Sequence, residues 1–172
     1  MKRPSPRRAG ALVAGLQALL LLGVGGQLLL ERALSPRGWA RTEPVDPRLP
    51  IRGRYVDLRL VVPAADLSSG CPLDRRRTRP VGLAVRGDRV VASGLTEGGN
   101  PRPARLTMGP AGTVARLVQP LAFFLPPDVQ DPSRRPAGEE LWAEVSLPAL
   151  GPPRPIRLGV KRGERIEPLA LR

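Results

Sequence analysis

Hydrophobic positions follow two different patterns along this chain of 172 residues. The first is an unbroken apolar run, Ala9–Leu30, whose 22 residues carry no charge and include only Gln17 and Gln27 as strongly polar side chains. As a helix rising about 1.5 Å per residue, the run is about 33 Å long, enough to cross the hydrocarbon core of a bilayer. It has no polar face, which argues against the core helix of a soluble protein. The pattern predicts a transmembrane anchor over residues 9–30.

The competing interpretation of this run is a cleaved signal peptide. Such a peptide has a basic start, an apolar stretch of about 7–15 residues and a small-x-small cleavage site. The run here is longer, and the best cleavage candidate, Ala33-Leu34-Ser35, is followed by Pro36. Both features favour an uncleaved anchor.

Charge on the two sides of the run predicts its orientation. Lys2, Arg3, Arg7 and Arg8 precede it with no acid among them, whereas the flank that follows is also basic but includes Glu31. The positive-inside tendency puts residues 1–8 in the cytoplasm as a basic tail and everything after the run outside. In a bacterial cell, we expect an inner (plasma) membrane protein whose C-terminal domain is periplasmic or extracellular.

After the run, the pattern changes to prolines and then to an alternation of period two. Residues 31–51 contain four prolines, which favour extended backbone, so the pattern predicts a Pro-rich linker or stalk. From Tyr55, apolar and polar residues alternate up to Pro63 in the way that is typical of a half-buried strand. The inward set of this strand is Val56, Leu58, Leu60 and Val62.

Three hairpins and two further strands are predicted downstream. The hairpins lie at Val81–Leu95 around Gly87-Asp88, at Arg105–Val118 around Gly109–Gly112, and at Ile156–Leu171 around Gly163. Short strands are predicted within Pro120–Leu125 and Leu141–Leu147. With about seven or eight short strands, residues 52–172 are expected to form an all-β domain, an antiparallel sandwich or an open barrel.

Composition limits the partners of this domain. Aromatic residues make up only 3% of the chain, so the core must consist of Val, Leu and Ala. The net charge is +13, and residues 42–172 carry +7 of it, as 21 cations against 14 acids. Because so few aromatic residues accompany the arginines, we expect no nucleic-acid partner. Weak contact with anionic lipid remains open, as does an arginine-rich composition without functional meaning.

The sequence contains no readable catalytic grouping. It has no histidine, and its single cysteine, Cys71, has no histidine to activate it. The adjacent acids Glu139 and Glu140 would point to opposite faces of a strand. We therefore expect no enzymatic activity, no cofactor and no metal site.

One stretch resembles a known family. Residues 43–48 read EPVDPR, and Gly53-Arg54-Tyr55-Val56-Asp57-Leu58-Arg59-Leu60 follows them. This resembles the bacterial GDYXXLXY family, whose members have an N-terminal membrane helix, a PVDPR stretch and the signature strand. Phe123-Phe124-Leu125-Pro126 resembles a second element of the family, an aromatic pair that runs into Pro-Glu. The positions that match are Gly53, Tyr55, Leu58, Phe123, Phe124 and Pro126.

The acidic positions of the family are lost in this chain. Arg54 stands for the signature Asp, Leu60 for the final Tyr, and Pro127 for the Glu after Pro126. The resemblance implies a membrane-anchored exported domain of undefined activity, and some relatives occur with multi-pass membrane proteins. Gly10, Ala14 and Ala18 fall four residues apart in the anchor, a spacing that lets a second helix approach closely.

These observations favour an interaction protein that is associated with a multi-pass membrane partner. The alternative is an envelope ligand-binding domain or enzyme that acts on an anionic lipid or polysaccharide through its arginines. Arginines clustered in one concave pocket would favour the alternative, whereas scattered arginines would favour the interaction protein.

Overall fold

The structure is a computed structural model, and it describes residues 6–45, 55–64, 67, 77–95, 100–133, 135–136 and 138–171. The first element is a single long helix, α1 (Pro6–Leu34). Proline suits the first turn of a helix because its missing N–H would have no partner there. The helix ends at Ser35, whose amide and hydroxyl both donate to the Glu31 carbonyl, at 2.9 and 2.5 Å.

The apolar part of α1 matches the predicted anchor. Its 25 residues Gly10–Leu34 have a mean hydropathy of 1.9, and none of the most apolar window is buried in the protein. The described chain thus contains one helix that is long and apolar enough to cross a membrane. The chain divides into two compact units, Met1–Ser35 and Pro36–Arg172.

The second unit consists of β-strands. Ten strands are described: β1 (Arg37–Val45), β2 (Tyr55–Pro63), β3 (Arg79–Arg86), β4 (Arg89–Ser93), β5 (Arg102–Gly109), β6 (Gly112–Leu117), β7 (Leu121–Phe124), β8 (Glu140–Ser146), β9 (Arg154–Arg162) and β10 (Arg165–Pro168). The all-β prediction is confirmed, with more strands than the seven or eight expected.

Six of the strands close into a barrel. The pairings run β1–β4–β3–β5–β6–β2 and return from β2 to β1. Strands β8, β9 and β10 extend the sheet from β1, and β7 extends it from β2. The pairings are antiparallel except for β1–β4, which is parallel and rests on Trp39 opposite Arg89. The barrel is therefore closed, where the sequence predicted a sandwich or an open barrel.

Strand β1 corrects the predicted linker over residues 31–51. Residues Arg37–Val45 form a strand that pairs with β2, β4 and β8, so this part of the chain lies at the centre of the sheet. Its inward residues Gly38, Ala40 and Thr42 are small, which is why the stretch lacks a strong hydrophobic alternation. Of its prolines, Pro36 precedes the strand and Pro44 lies next to its end, where a missing N–H costs little. Residues 46–51 lie outside the described residues.

The three predicted hairpins are confirmed as β3–β4, β5–β6 and β9–β10. Two-residue turns connect the strands of the first and third, and each turn begins with a glycine at positive φ, Gly87 at 61° and Gly163 at 60°. Such turns match the twist of the paired strands, and glycine adopts them without a steric penalty.

The core is formed by residues of the barrel strands and of β7, β8 and β9, and it contains no large aromatic ring among its fully buried residues. Every buried hydrophobic residue of the described chain is Ala, Val or Leu, as the composition predicted. The largest fully buried side chains include Leu58, Leu60 and Leu158. One inward polar group, the Thr42 hydroxyl, donates to the Leu141 carbonyl at 2.9 Å and so carries no burial penalty.

Candidate functional site

The two stretches that carry the family resemblance meet in the sheet. Strands β2 and β7 pair antiparallel, with Tyr55 opposite Phe124, Val56 opposite Phe123 and Leu58 opposite Leu121. The ring centroids of Tyr55 and Phe124 lie 6.4 Å apart at an interplanar angle of 52°. That geometry is within the range of attractive aromatic pairs. Four of the matched positions, Tyr55, Leu58, Phe123 and Phe124, therefore lie on two paired strands, which the sequence analysis did not foresee.

These positions divide between core and surface. Leu58 is 1% exposed, whereas Tyr55 is half-buried on the opposite face of β2, as the alternation predicted. Phe123 packs against the core, but its neighbour Phe124 is 71% exposed. The Phe124 ring, beside the half-buried Tyr55, is thus placed where another molecule can reach it.

Of the remaining two matched positions, the structure describes Pro126. Pro126 is exposed, and its carbonyl accepts a hydrogen bond from the Val129 amide at 3.3 Å, which forms the turn after β7. Gly53 lies outside the described residues, as do Arg54 and Cys71. Leu60, at the position of the family's final Tyr, is fully buried in the core.

A second cluster, which the sequence analysis missed, surrounds Trp142 on β8. The Arg89 guanidinium lies 4.4 Å from the indole centroid, and the Lys161 ammonium lies 5.6 Å from it. The Glu140 carboxylate accepts a hydrogen bond from the indole N–H at 3.1 Å. Because both cations already lie over the ring, Trp142 stabilises the sheet surface rather than offering an open aromatic platform.

Trp39 on β1 has a similar environment. The Arg157 guanidinium lies 5.4 Å from its centroid, and Arg157 also pairs with Glu144. The ring lies against Gly159, where an added Cβ would come within 2.8 Å of Trp39 Cζ3. The absence of a side chain at Gly159 therefore provides the space that the indole occupies.

Glu43 is the centre of a charged network on the outer surface of the barrel. Its carboxylate accepts hydrogen bonds from Arg116 and from Arg41, and Arg41 also pairs with Glu140 at 3.3 Å. The hydrogen bonds from Arg116 are the main cause that lowers the pKa of Glu43, and partial burial opposes them. These contacts tie β1 to β6 and β8.

Replacing Glu43 with glutamine is expected to destabilise the domain at neutral pH by up to about 1 kcal/mol. Since the pKa of Glu43 is lower in the folded chain than the ordinary 4.5, ionised Glu43 contributes stability that is fully present above that value. The contribution is lost as the pH falls through the lowered folded pKa. Urea unfolding of the detergent-solubilised full chain, followed by tryptophan fluorescence, measures this.

The variant should accordingly lose less stability than the native chain between about pH 5 and pH 3. Glu164→Gln, in the exposed β9–β10 turn, is the matched control and should follow the native curve. If the free energy of unfolding falls equally with pH in the native chain and in Glu43→Gln, the network around Glu43 does not contribute to the loss of stability in acid.

Glu139 and Glu140 have separate environments: Glu139 precedes β8, and Glu140 is the first residue of the strand. Glu139 pairs with Arg162 at 2.8 Å and with Arg135 at 3.6 Å, and the hydrogen bond from Arg162 is the main cause that lowers the pKa of Glu139. Glu140 instead contacts Arg41 and Trp142. The two carboxylates have different partners and do not form an acid–base pair.

Three clefts lie on the described surface of the domain. One of about 120 Å³ lies between Leu83 on β3 and the segment after β8, and Arg102 lines it. Arg102 also borders a second, far smaller cleft. An open hollow beside Glu139 and Glu140 is lined by Lys161. Each cleft thus has one cationic side chain, and the described residues include no group of three His, Cys, Asp or Glu that could hold a metal ion.

Comparison with known proteins adds no assignment: no family model, no curated protein and no solved structure matches the chain. The likeness to the GDYXXLXY family therefore rests on the residues quoted above and stays a prediction.

Proposed function

We propose that the chain is a single-pass membrane protein that presents its β domain as an interaction module beside a multi-pass membrane partner. The observation that carries the proposal is the exposure of the span Gly10–Leu34: an apolar helix of 25 residues with no buried part requires an apolar environment from outside the chain. The β unit has its own core and does not need the helix to complete it.

The orientation of the proposed anchor follows from its flanks. Four cations and no acid lie among residues 1–8, which favours a cytoplasmic N-terminus. The β domain is then exported, to the periplasm or cell exterior in a bacterium. Alkaline phosphatase fused after Arg172 should be active in cells, and the chain should resist alkaline extraction from membranes. An inactive fusion would indicate the opposite orientation. Release of the chain from membranes by alkali would show that the helix is not a membrane anchor.

A helix partner is supported by the small residues of the span. Gly10 and Gly15 have open space around them, since an added Cβ would meet nothing within 4 Å. With Ala14 and Ala18 they give a surface that a second helix can approach closely. Outside the membrane, the exposed Tyr55–Phe124 pair offers a second contact surface.

Ala14→Leu is expected to remove most of the membrane protein that copurifies with the chain in mild detergent. The leucine fills the surface on which the second helix packs, while the span keeps its hydropathy. Gly23→Leu is the matched control. Gly23 lies further along the helix on the face opposite Ala14, and the space around it is equally open. Recovery of the native chain as a lone monomer from native membranes would contradict the proposal that it associates with a membrane partner.

The alternative, an anionic envelope ligand held by arginines, has less support. Several arginines on the domain surface are already paired with acids, including Arg41 and Arg116 with Glu43 and Arg157 with Glu144. The clefts described above contain single cations. Salt-sensitive binding of the solubilised chain to an anionic polysaccharide, absent for a neutral one, would restore the alternative.

A further inference from the structure

The segment between β8 and β9, Leu147–Pro153, is the most apolar loop of the described domain. Its sequence is LPALGPP, with no charged or strongly polar side chain. Residues 149–152 are exposed, and Leu150 is 79% exposed, the highest value among the large hydrophobic residues that the structure describes. Leu150 is so open to water that it contributes little to the fold, and Ala149 and Pro152 extend the exposed apolar surface beside it.

Hydrogen bonds and two prolines fix the conformation of the loop. The Gly151 carbonyl accepts hydrogen bonds from the Asn100 amide, at 2.5 Å, and from Arg102. Gly151 has φ of 90°, which a residue with a side chain rarely adopts, and Pro152 and Pro153 stiffen the exit. Leu147 and Pro153 are buried. Leu150 is therefore presented on a rigid support, which lowers the entropy that docking would cost.

The chain that follows the apolar helix runs beside this loop. The Leu147 amide donates to the Pro36 carbonyl at 2.9 Å, and Arg37 pairs with Ser146 in the sheet. Only Ser35 and Pro36 separate α1 from β1. The two residue steps from Leu34 to Pro36 reach at most about 7 Å. Since Leu147 is hydrogen-bonded to Pro36, the base of the loop lies close to the end of the helix along the chain.

Exposed arginines flank the loop. Arg37 precedes the strand that pairs with the end of β8, and Arg154 begins β9 directly after the loop, opposite Ser146. Leucine and proline between cationic side chains are typical of a segment that enters the headgroup region of a bilayer, where cations meet phosphate groups.

We propose that Leu147–Pro153 is a membrane-contact loop, whose Leu150 enters the interfacial region of the bilayer that the helix crosses while Arg37 and Arg154 face lipid phosphates. The inference rests on the proposed anchoring of the helix. Its consequence is that the β domain is held in one orientation on the membrane surface rather than moving freely on a tether.

The test uses the full chain with Cys71→Ser and a single new cysteine, Leu150→Cys, carrying an environment-sensitive fluorophore. The chain is reconstituted in vesicles of phosphatidylethanolamine with a minority of phosphatidylglycerol. Phe124→Cys is the matched control, because Phe124 is 71% exposed and lies on β7, which pairs with the start of β2. That start pairs with the end of β1, so the control is remote from Arg37 along the strand.

The fluorophore at position 150 should show blue-shifted emission and strong quenching by lipids with a shallow nitroxide, while position 124 remains water-like. Equal, water-like signals from both positions in a chain that resists alkaline extraction would overturn the loop proposal and leave the anchor intact. Release of the chain by alkali would overturn both. Blue-shifted emission and strong quenching at both positions would also contradict the proposal. The proposal requires that the domain contacts the bilayer through the loop and not through the surface around position 124.

Discussion

Leu58→Ala will lower the free energy of unfolding of the β domain by about 2–5 kcal/mol. Leu58 is 1% exposed and belongs to the core cluster, whose fully buried members are Ala, Val and Leu. The truncation removes apolar contacts and leaves a cavity, because side chains in a closely packed core relax only partly into the vacated space. Since small domains have a total stability of about 5–15 kcal/mol, the loss is a large share of it.

Urea unfolding of the full chain in detergent, followed by tryptophan fluorescence, measures this loss. Both Trp39 and Trp142 lie in the β domain, so the signal reports on that unit alone. Phe124→Ala is the control, because Phe124 lies on the neighbouring strand but is 71% exposed. It should change stability by no more than about 0.5 kcal/mol. A similar loss in both variants would show that Phe124 is a core residue in solution.

The pair of variants also separates two roles for the positions that resemble the family signature. If Leu58 acts only through the core, its replacement reduces stability and any loss of partner binding follows from unfolding. If Phe124 is a contact residue, its replacement reduces copurification at unchanged stability. The structure favours this division, because the Leu58 side chain is enclosed and the Phe124 ring is open.

Much of the fold could be predicted from local pattern. Each hairpin has a glycine-containing turn between two alternating segments, and these signals lie within a few residues of each other. The alternation in β2 likewise assigned Leu58 to the core and Tyr55 to the other face. Such assignments need no knowledge of the partner strand, since the period of two fixes the faces.

Strand β1 could not be predicted in this way, and its omission changed the expected architecture. Its inward positions, Gly38, Ala40 and Thr42, are small or polar, and its largest apolar residue, Trp39, lies on the outer face. At Gly38 an added Cβ would lie 3.2 Å from atoms of Val85 and Val90, so close packing explains the small residue. Strand β1 pairs with both β4 and β2, so without it the six-strand barrel has no closing strand.

The surface clusters depend on register rather than on local pattern. Arg89 and Lys161 reach Trp142 from β4 and β9, which are far apart in the sequence. The Tyr55–Phe124 contact likewise requires β7 to pair with β2 instead of with its sequence neighbour. Long-range pairing of this kind is decided by the closure of the whole sheet, and no short segment encodes it.

Gly159→Ala is the second change with a large expected effect, a loss of about 1–3 kcal/mol. The backbone of Gly159 has no special torsion, so the cost comes from space alone. An added Cβ would lie 2.8 Å from Trp39 Cζ3 and 2.9 Å from Ile166 Cγ2. The indole is rigid and cannot fold away from the methyl group, so the ring or strand β9 must shift. Gly94→Ala, where an added Cβ meets nothing within 4 Å, should be neutral.

A double-mutant cycle identifies the cause of that loss. In a Trp39→Val background the methyl group at position 159 meets space that the indole has vacated, so most of the cost of Gly159→Ala should disappear. The coupling between the two positions should then be on the order of 1 kcal/mol, as expected for residues in direct contact. Urea unfolding followed by Trp142 fluorescence measures all four chains. An equal cost in both backgrounds would mean that Trp39 does not occupy the space beside Gly159, and that Ile166 or the β9 backbone limits the substitution instead.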